Sequence, residues 1–218
     1  NEGVRFDRAY TTTSLCTPSR YGCLTGQFPS RCPTEQLTDP GEQTYVGFNT
    51  PLSPDQDALP KLMQKAGYAT GFVGKWHLGQ VGLKELGFDR SEFDRWATPA
   101  RDPKLNRVLA EHHERAAERI RACGFDHASR IYWNNPGGYF VNSFKTHNVE
   151  WVMEGALEFI NAQRNNPFFL MVSTTVHHVP QPQASLWDDP RVTMAGYLDK
   201  APDVMPSRLE ILDRVKRA

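Results

Sequence analysis

Residues 14–26 read Ser14-Leu15-Cys16-Thr17-Pro18-Ser19-Arg20-Tyr21-Gly22-Cys23-Leu24-Thr25-Gly26. Proline has a fixed φ and no N–H, so Pro18 suits the first turn of a helix, where that N–H would lack a partner anyway. This places residue 16 just before a helix N-terminus, where aligned peptide dipoles and free N–H groups favour an anion. Taken alone, Cys16 reads two ways. It is a small buried thiol beside a proline-started helix, or a reactive group held at that terminus. The stretches further along decide between them.

Asp57 to Ala66 carries Leu59, Leu62, Met63 and Ala66 at helical spacing, and Gly67 can close such a helix in the left-handed conformation. The short apolar run Ala69–Val73 then predicts a buried strand that leads into Gly74-Lys75-Trp76-His77-Leu78-Gly79. On an extended chain Lys75 and His77 project to the same face. A cation beside an imidazole at a strand end suits an anionic ligand, although a lone Lys-x-His is more often surface charge. A second apolar strand is predicted from Pro167 through Phe168-Phe169-Leu170-Met171-Val172 to Ser173, Thr174 and Thr175, followed by Val176-His177-His178-Val179-Pro180. An isolated His pair in a loop is usually structural or solvent-facing.

Together these stretches resemble the type I sulfatases. Cys16-Thr17-Pro18-Ser19-Arg20 with Leu24-Thr25-Gly26 is similar to that family's modification signature, except that Cys23 replaces a larger apolar residue. The lead-in Gly3 to Tyr10 is similar too, and Gly67 to Gly79 resembles the second signature, a strand ending in Gly-Lys-x-His. His178-Val179-Pro180 resembles the family's Pro-His-x-Pro, with His177 standing in place of proline and left unassigned.

The resemblance implies an α/β fold: an alkaline-phosphatase-like sandwich with a mainly parallel, mixed sheet flanked by helices. It implies a sulfuric ester hydrolase in which a maturation enzyme oxidises Cys16 to formylglycine. One hydroxyl of the hydrated aldehyde attacks sulfur, and the other, once deprotonated, expels sulfate, so that one hard step becomes two easier ones. By the same resemblance Arg20 holds the formylglycine near a metal ion, and Lys75 and His178 bind sulfate. His77 hydrogen-bonds the formylglycine hydroxyl and can take its proton. The substrate class is a sulfated small molecule or glycan. A phosphonate or phosphate ester hydrolase on the same scaffold is an alternative, as is a non-catalytic remnant. A periplasmic or secreted location also follows from the family.

The family binds one divalent cation, usually calcium, through Asp-Asp and Asp-Asn pairs on two strands, and Cys16, as formylglycine, would also lie on the metal. Neither pair is visible at the expected positions. The chain therefore reads as residues 1–218 of a partial catalytic domain, incomplete at both ends, with the carboxylate ligands outside it and no turnover by itself. Asp188-Asp189 reads as loop, and Asp39, Asp55 and Asp57 as turn and helix-start residues.

Composition narrows the classes. The 218 residues carry 25 basic and 25 acidic side chains, which argues against a general nucleic-acid surface. No apolar run approaches the roughly 20 residues of a membrane span. Cys16, Cys23, Cys32 and Cys123 show no zinc-type spacing and no disulfide framework beyond a conceivable Cys23–Cys32 pair. Residues 29–57 read as a long loop near the site. A helix is predicted from Asp102-Pro103 to Cys123, with Leu105, Val108, Leu109, His112, Ala116 and Ile120 along one side, His112 as a core or boundary residue rather than a ligand, and Glu111 paired to Arg115. Residues 125–148 interleave aromatics and amides (Tyr132, Trp133, Asn134, Asn135, Tyr139), as an ordered loop or a sugar-stacking platform would. An amphipathic helix follows, with Val149, Val152, Met153, Ala156, Leu157 and Ile160 on one face. Residues 181–206 read as loop, and a last helix starts near Pro206.

Overall fold

The structure, a computed structural model, describes residues 5–32, 50–79 and 82–217. The apolar run after Gly67 forms strand β1 (Ala69–Lys75), the centre of a three-stranded sheet. β2 (His127–Tyr132) and β3 (Phe168–Ser173) flank it, both parallel to it. Every residue of β1 from Thr70 to Lys75 is buried, as a parallel strand covered on both faces should be. Successive side chains of a strand point to opposite faces. Phe72 accordingly packs with Tyr21, Ile120 and Phe125, while Val73 packs with Leu109, Trp151 and Val152.

Two crossover helices make the parallel pairing possible. α3 (Pro103–Ala122) leads from β1 to β2, and α4 (Val149–Gln163) leads from β2 to β3; two shorter helices, α1 (Cys16–Thr25) and α2 (Leu59–Lys65), precede β1 and α3. The start of α3 is the predicted one: the Asp102 carboxylate accepts the Leu105 N–H at 2.8 Å, and Pro103 opens the first turn. All six residues of the predicted stripe are buried, His112 among them, its ring edge-on to Trp133. Asn148 caps α4 in the same way, accepting the Trp151 N–H at 3.0 Å. Gly67 closes α2 with φ 84°.

The architecture is the predicted α/β one, with several local differences. Residues 125–148 hold β2, and Tyr132, Trp133 and Tyr139 are core residues, so the sugar-stacking platform is not there. The buried face of α4 is Trp151, Val152, Gly155, Ala156 and Phe159, together with Glu150. Leu157 and Ile160 are 44 % and 37 % exposed, because the bulky Trp151 and Phe159 take the sheet side of the helix. Residues 181–206 include α5 (Pro182–Ser185) and a hairpin of β4 (Val192–Thr193) with β5 (Gly196–Tyr197). Asp189 lies in the turn before that hairpin, held by Arg191 and the Tyr197 hydroxyl. α6 (Arg208–Arg217) docks through an Arg208–Glu150 ion pair at 2.7 Å, which accounts for the buried glutamate. Arg115 pairs with Glu118 at 3.0 Å rather than with Glu111. Cys16, Cys23 and Cys123 are free thiols, so the conceivable Cys23–Cys32 pair is not formed. Of the predicted 29–57 loop, residues 33–49 with Asp39 lie outside the described residues, as do Gly3 and Val4 of the lead-in segment.

Candidate active site

The C-terminal end of β1 is where the singled-out residues meet, and glycine makes the approach possible. Gly74 has φ 96°, and a Cβ there would lie 1.9 Å from the Ser173 carbonyl oxygen. Only glycine lets β1 and β3 close to this distance immediately before Lys75. Beyond the strand His77 adopts φ 59°, a left-handed conformation of a kind that concentrates at functional sites. The chain therefore is not extended through His77, and the same-face argument for Lys75 and His77 does not describe how they are placed. They are brought together by α1.

Cys16 is the first residue of α1, one position further into the helix than the sequence suggested, and Leu15 is the cap. One turn of α1 grips the segment 75–77 by its main chain. Thr17 Oγ1 donates to the His77 carbonyl at 3.1 Å. Arg20 Nη1 donates to the Lys75 carbonyl and to Ser173 Oγ, each at 2.6 Å. The Lys75 ammonium donates to Asn135 Oδ1 in the segment after β2 and also reaches the Cys16 side chain. His178, after β3, completes the group, close enough to Lys75 and His77 for their charges to be felt.

Electrostatics follow from crowding cations away from water. Burial pushes the Lys75 ammonium down to about 8, with Arg20 adding to the fall and Cys16 opposing it. Burial first, then the Lys75, Arg20 and His178 charges, hold His77 down to about 3, so its imidazole is neutral at pH 7. His178 is lowered by burial and by Lys75. Its Nδ1 accepts the Val179 N–H at 2.8 Å, which leaves the hydrogen of the neutral ring on Nε2. Two buried cations, Arg20 and Lys75, with two imidazoles around residue 16 at a helix N-terminus make a site that an anion would stabilise.

Cys16, Arg20, Lys75, His77 and His178 therefore lie in one place, while His177 is exposed with φ 72° and joins nothing described. Sequence reasoning missed Thr17, Ser173 and Asn135. Thr17 sits inside the quoted motif, and Ser173 was visible only as the polar end of a strand. Asn135 was noticed among the amides, but for a sugar rather than for Lys75. Among the described residues no group of three or more His, Cys, Asp or Glu side chains could hold a metal ion. These residues do not by themselves fit a cation.

A family model described as Sulfatase matches residues 1–212. The chain is 28 % identical over 179 residues to N-acetylglucosamine-6-O-sulfatase of Bacteroides thetaiotaomicron, covering 82 % of this chain and 25 % of that protein. It is 29 % identical over 191 residues to human N-acetylgalactosamine-6-sulfatase, covering 82 % and 33 %. A further match is the arylsulfatase of Hemicentrotus pulcherrimus, 40 % identical over 79 residues, or 36 % and 14 % of the two chains. The chain thus spans about a quarter of the length of the bacterial N-acetylglucosamine-6-O-sulfatase and about a third of that of the human N-acetylgalactosamine-6-sulfatase.

Proposed function

This chain belongs to the sulfatase family, and on that premise we propose that it carries the nucleophile side of a sulfuric ester hydrolase in which Cys16 is converted to formylglycine. The observation that supports this reading most is the convergence of two cations and two imidazoles on residue 16. Arg20, Lys75, His77 and His178 come from α1, the end of β1 with the turn just past it, and the loop after β3, and the Lys75 charge acts on both imidazoles. Packing alone gives no reason to bury like charges beside a cysteine.

As formylglycine hydrate, residue 16 would supply two hydroxyls on one carbon, one to attack sulfur and one to release sulfate. The other residues prepare the ground. Lys75 neutralises sulfate charge in a site shielded from water, where a cation is worth more than in solvent. His178 offers its Nε2 hydrogen to a sulfate oxygen or to the leaving group. His77, kept neutral by burial and then by its neighbours' charges, can accept the hydroxyl proton, and bound sulfate would offset those charges and raise its basicity. Arg20 holds the main chain of Lys75 in place. A calcium ion remains part of the proposal, with carboxylates drawn from outside the described residues, and no step above depends on it.

The substrate class we favour is a carbohydrate sulfate. Support comes from two relatives whose names specify 6-sulfated N-acetylhexosamines, not from the aromatic residues 132–139, which are core. The test is hydrolysis of an N-acetylhexosamine 6-sulfate and an aryl sulfate against matched phosphate and phosphonate esters, by the wild type and Cys16→Ala in a complete enzyme that also supplies the carboxylate ligands. Sulfate-selective turnover that vanishes in C16A supports the reading. Turnover that survives in C16A, or a preference for the phosphorus esters, overturns it.

A further inference from the structure

His147 stands outside the group just described. It is 3 % exposed, directly before the Asn148 cap of α4. Both ring nitrogens are engaged. Nδ1 lies 2.7 Å from the Thr175 hydroxyl oxygen. Nε2 lies 2.7 Å from the Pro180 carbonyl oxygen and 3.2 Å from that of His178. Carbonyl oxygens only accept, so Nε2 carries a hydrogen, and in the neutral ring Nδ1 then accepts from the Thr175 O–H. The main-chain N–H of His147 donates to Ser185 Oγ at 2.8 Å, which pins the residue from a second side.

The consequence falls on the segment 178–180. Apolar packing contributes little to holding it, since Val179 is 60 % exposed. Its carbonyls are held instead. His147 takes those of His178 and Pro180, and the Gly137 N–H takes that of Val179 at 3.2 Å. The His178 ring is tied to the same stretch, because its Nδ1 accepts the Val179 N–H. Where the main chain sits at 178–179 therefore sets where the His178 ring points.

We propose that His147 is a positioning residue for His178, clamping the carbonyls on both sides of Val179 so that the His178 Nε2–H faces the Lys75–His77 site. The proposal rests on the reading of His178 as a sulfate ligand. His147 touches no substrate; it acts through His178.

The test is long-range 1H–15N NMR of the histidine rings in the full chain, free and titrated with inorganic sulfate. Wild-type His147 is expected as the Nε2–H tautomer. His147→Phe keeps the ring volume and removes both polar arms, and should shift or broaden the His178 ring signals. It should also weaken sulfate binding by about fivefold, the worth of about one net hydrogen bond. His147→Gln, whose amide can reach the same carbonyls, should restore most of both. Unchanged His178 signals in H147F, or a wild-type His147 protonated on Nδ1, overturn the proposal. Should H147F fail to fold, the wild-type tautomer and Thr175→Val decide: T175V is expected to disturb the His178 signals, and His178 signals indifferent to it count against the clamp. If the wild type binds no sulfate while H147F still moves His178, the clamp stands and the sulfate reading of the site falls.

Discussion

The Arg20 guanidinium donates to the main-chain carbonyl of Lys75 at 2.6 Å. The arginine of α1 thus fixes the backbone of the lysine at the strand end, and the same nitrogen reaches Ser173 on β3. Arg20→Lys keeps the charge but loses the rigid fork. We expect it to lower stability to urea by about 1.5–3 kcal/mol, the range for a hydrogen bond involving a charged group. An R20K variant with wild-type stability and unchanged His77 ring signals would show that the contact holds nothing.

Lys75→Ala and His77→Ala should each reduce sulfate ester turnover by about two to four orders of magnitude in an active preparation, the usual cost of losing a positioned cation or acid–base group. Cys16→Ala should abolish it while leaving the fold intact by circular dichroism. Steady-state kinetics on an aryl sulfate checks all three, and a loss below tenfold in K75A removes Lys75 from the proposed role.

Asn135 accepts from the Lys75 ammonium and is itself 5 % exposed. Asn135→Ala leaves that cation short of a partner. The expected result is turnover lower by about tenfold, one hydrogen bond to a charged group, with Asn135→Asp restoring an acceptor. Equal kinetics in N135A and the wild type would contradict the assignment.

His113 gives a pH dependence. Its Nε2 accepts the Ile131 main-chain N–H at 3.1 Å, beside Arg130 at φ 53°, where the β1–β2 register shifts. Only a neutral ring can accept there, and burial holds its pKa down to about 4. The folded pKa lies below the unfolded value near 6.5, so this contribution is complete above about pH 6.5 and is lost as pH falls toward 4. Urea titrations at pH 7.5 and 4.5 should show the wild type losing about 2 to 3 kcal/mol more than His113→Gln, which keeps an acceptor that cannot be protonated. His77, His127 and His178 also sit below their usual range, but they act on both proteins alike. Parallel losses in the two proteins would contradict this account.

Much of the fold was legible where local signals agree with tertiary demand. Asp102-Pro103 and its periodic stripe located α3, and Gly67 with the apolar run after it located β1. β2 was missed because His127, Ser129 and Arg130 break any apolar pattern, a cost of the register shift and of the Arg130 pairs with Glu154 and Glu158. The face of α4 was misjudged because a hydrophobic stripe does not say which aromatic fills the space over the sheet: Phe159 crosses Gly71 so closely that a Cβ there would lie 2.7 Å from its ring. At the site, Cys16, Arg20, Lys75, His77 and His178 were readable as motif positions. Asn135, Ser173 and His147 were not, since their importance lies in partners 60, 153 and 31 residues away, such as Lys75, Arg20 and the His178 carbonyl.

The most direct test of the central claim is the mass of the tryptic peptide Ala9–Arg20 from protein made in a host that has the formylglycine-generating enzyme. The account predicts a peptide in which the Cys16 sulfur has been replaced by an aldehyde oxygen. A peptide retaining an intact Cys16 thiol, from cells that convert a control sulfatase, would contradict it.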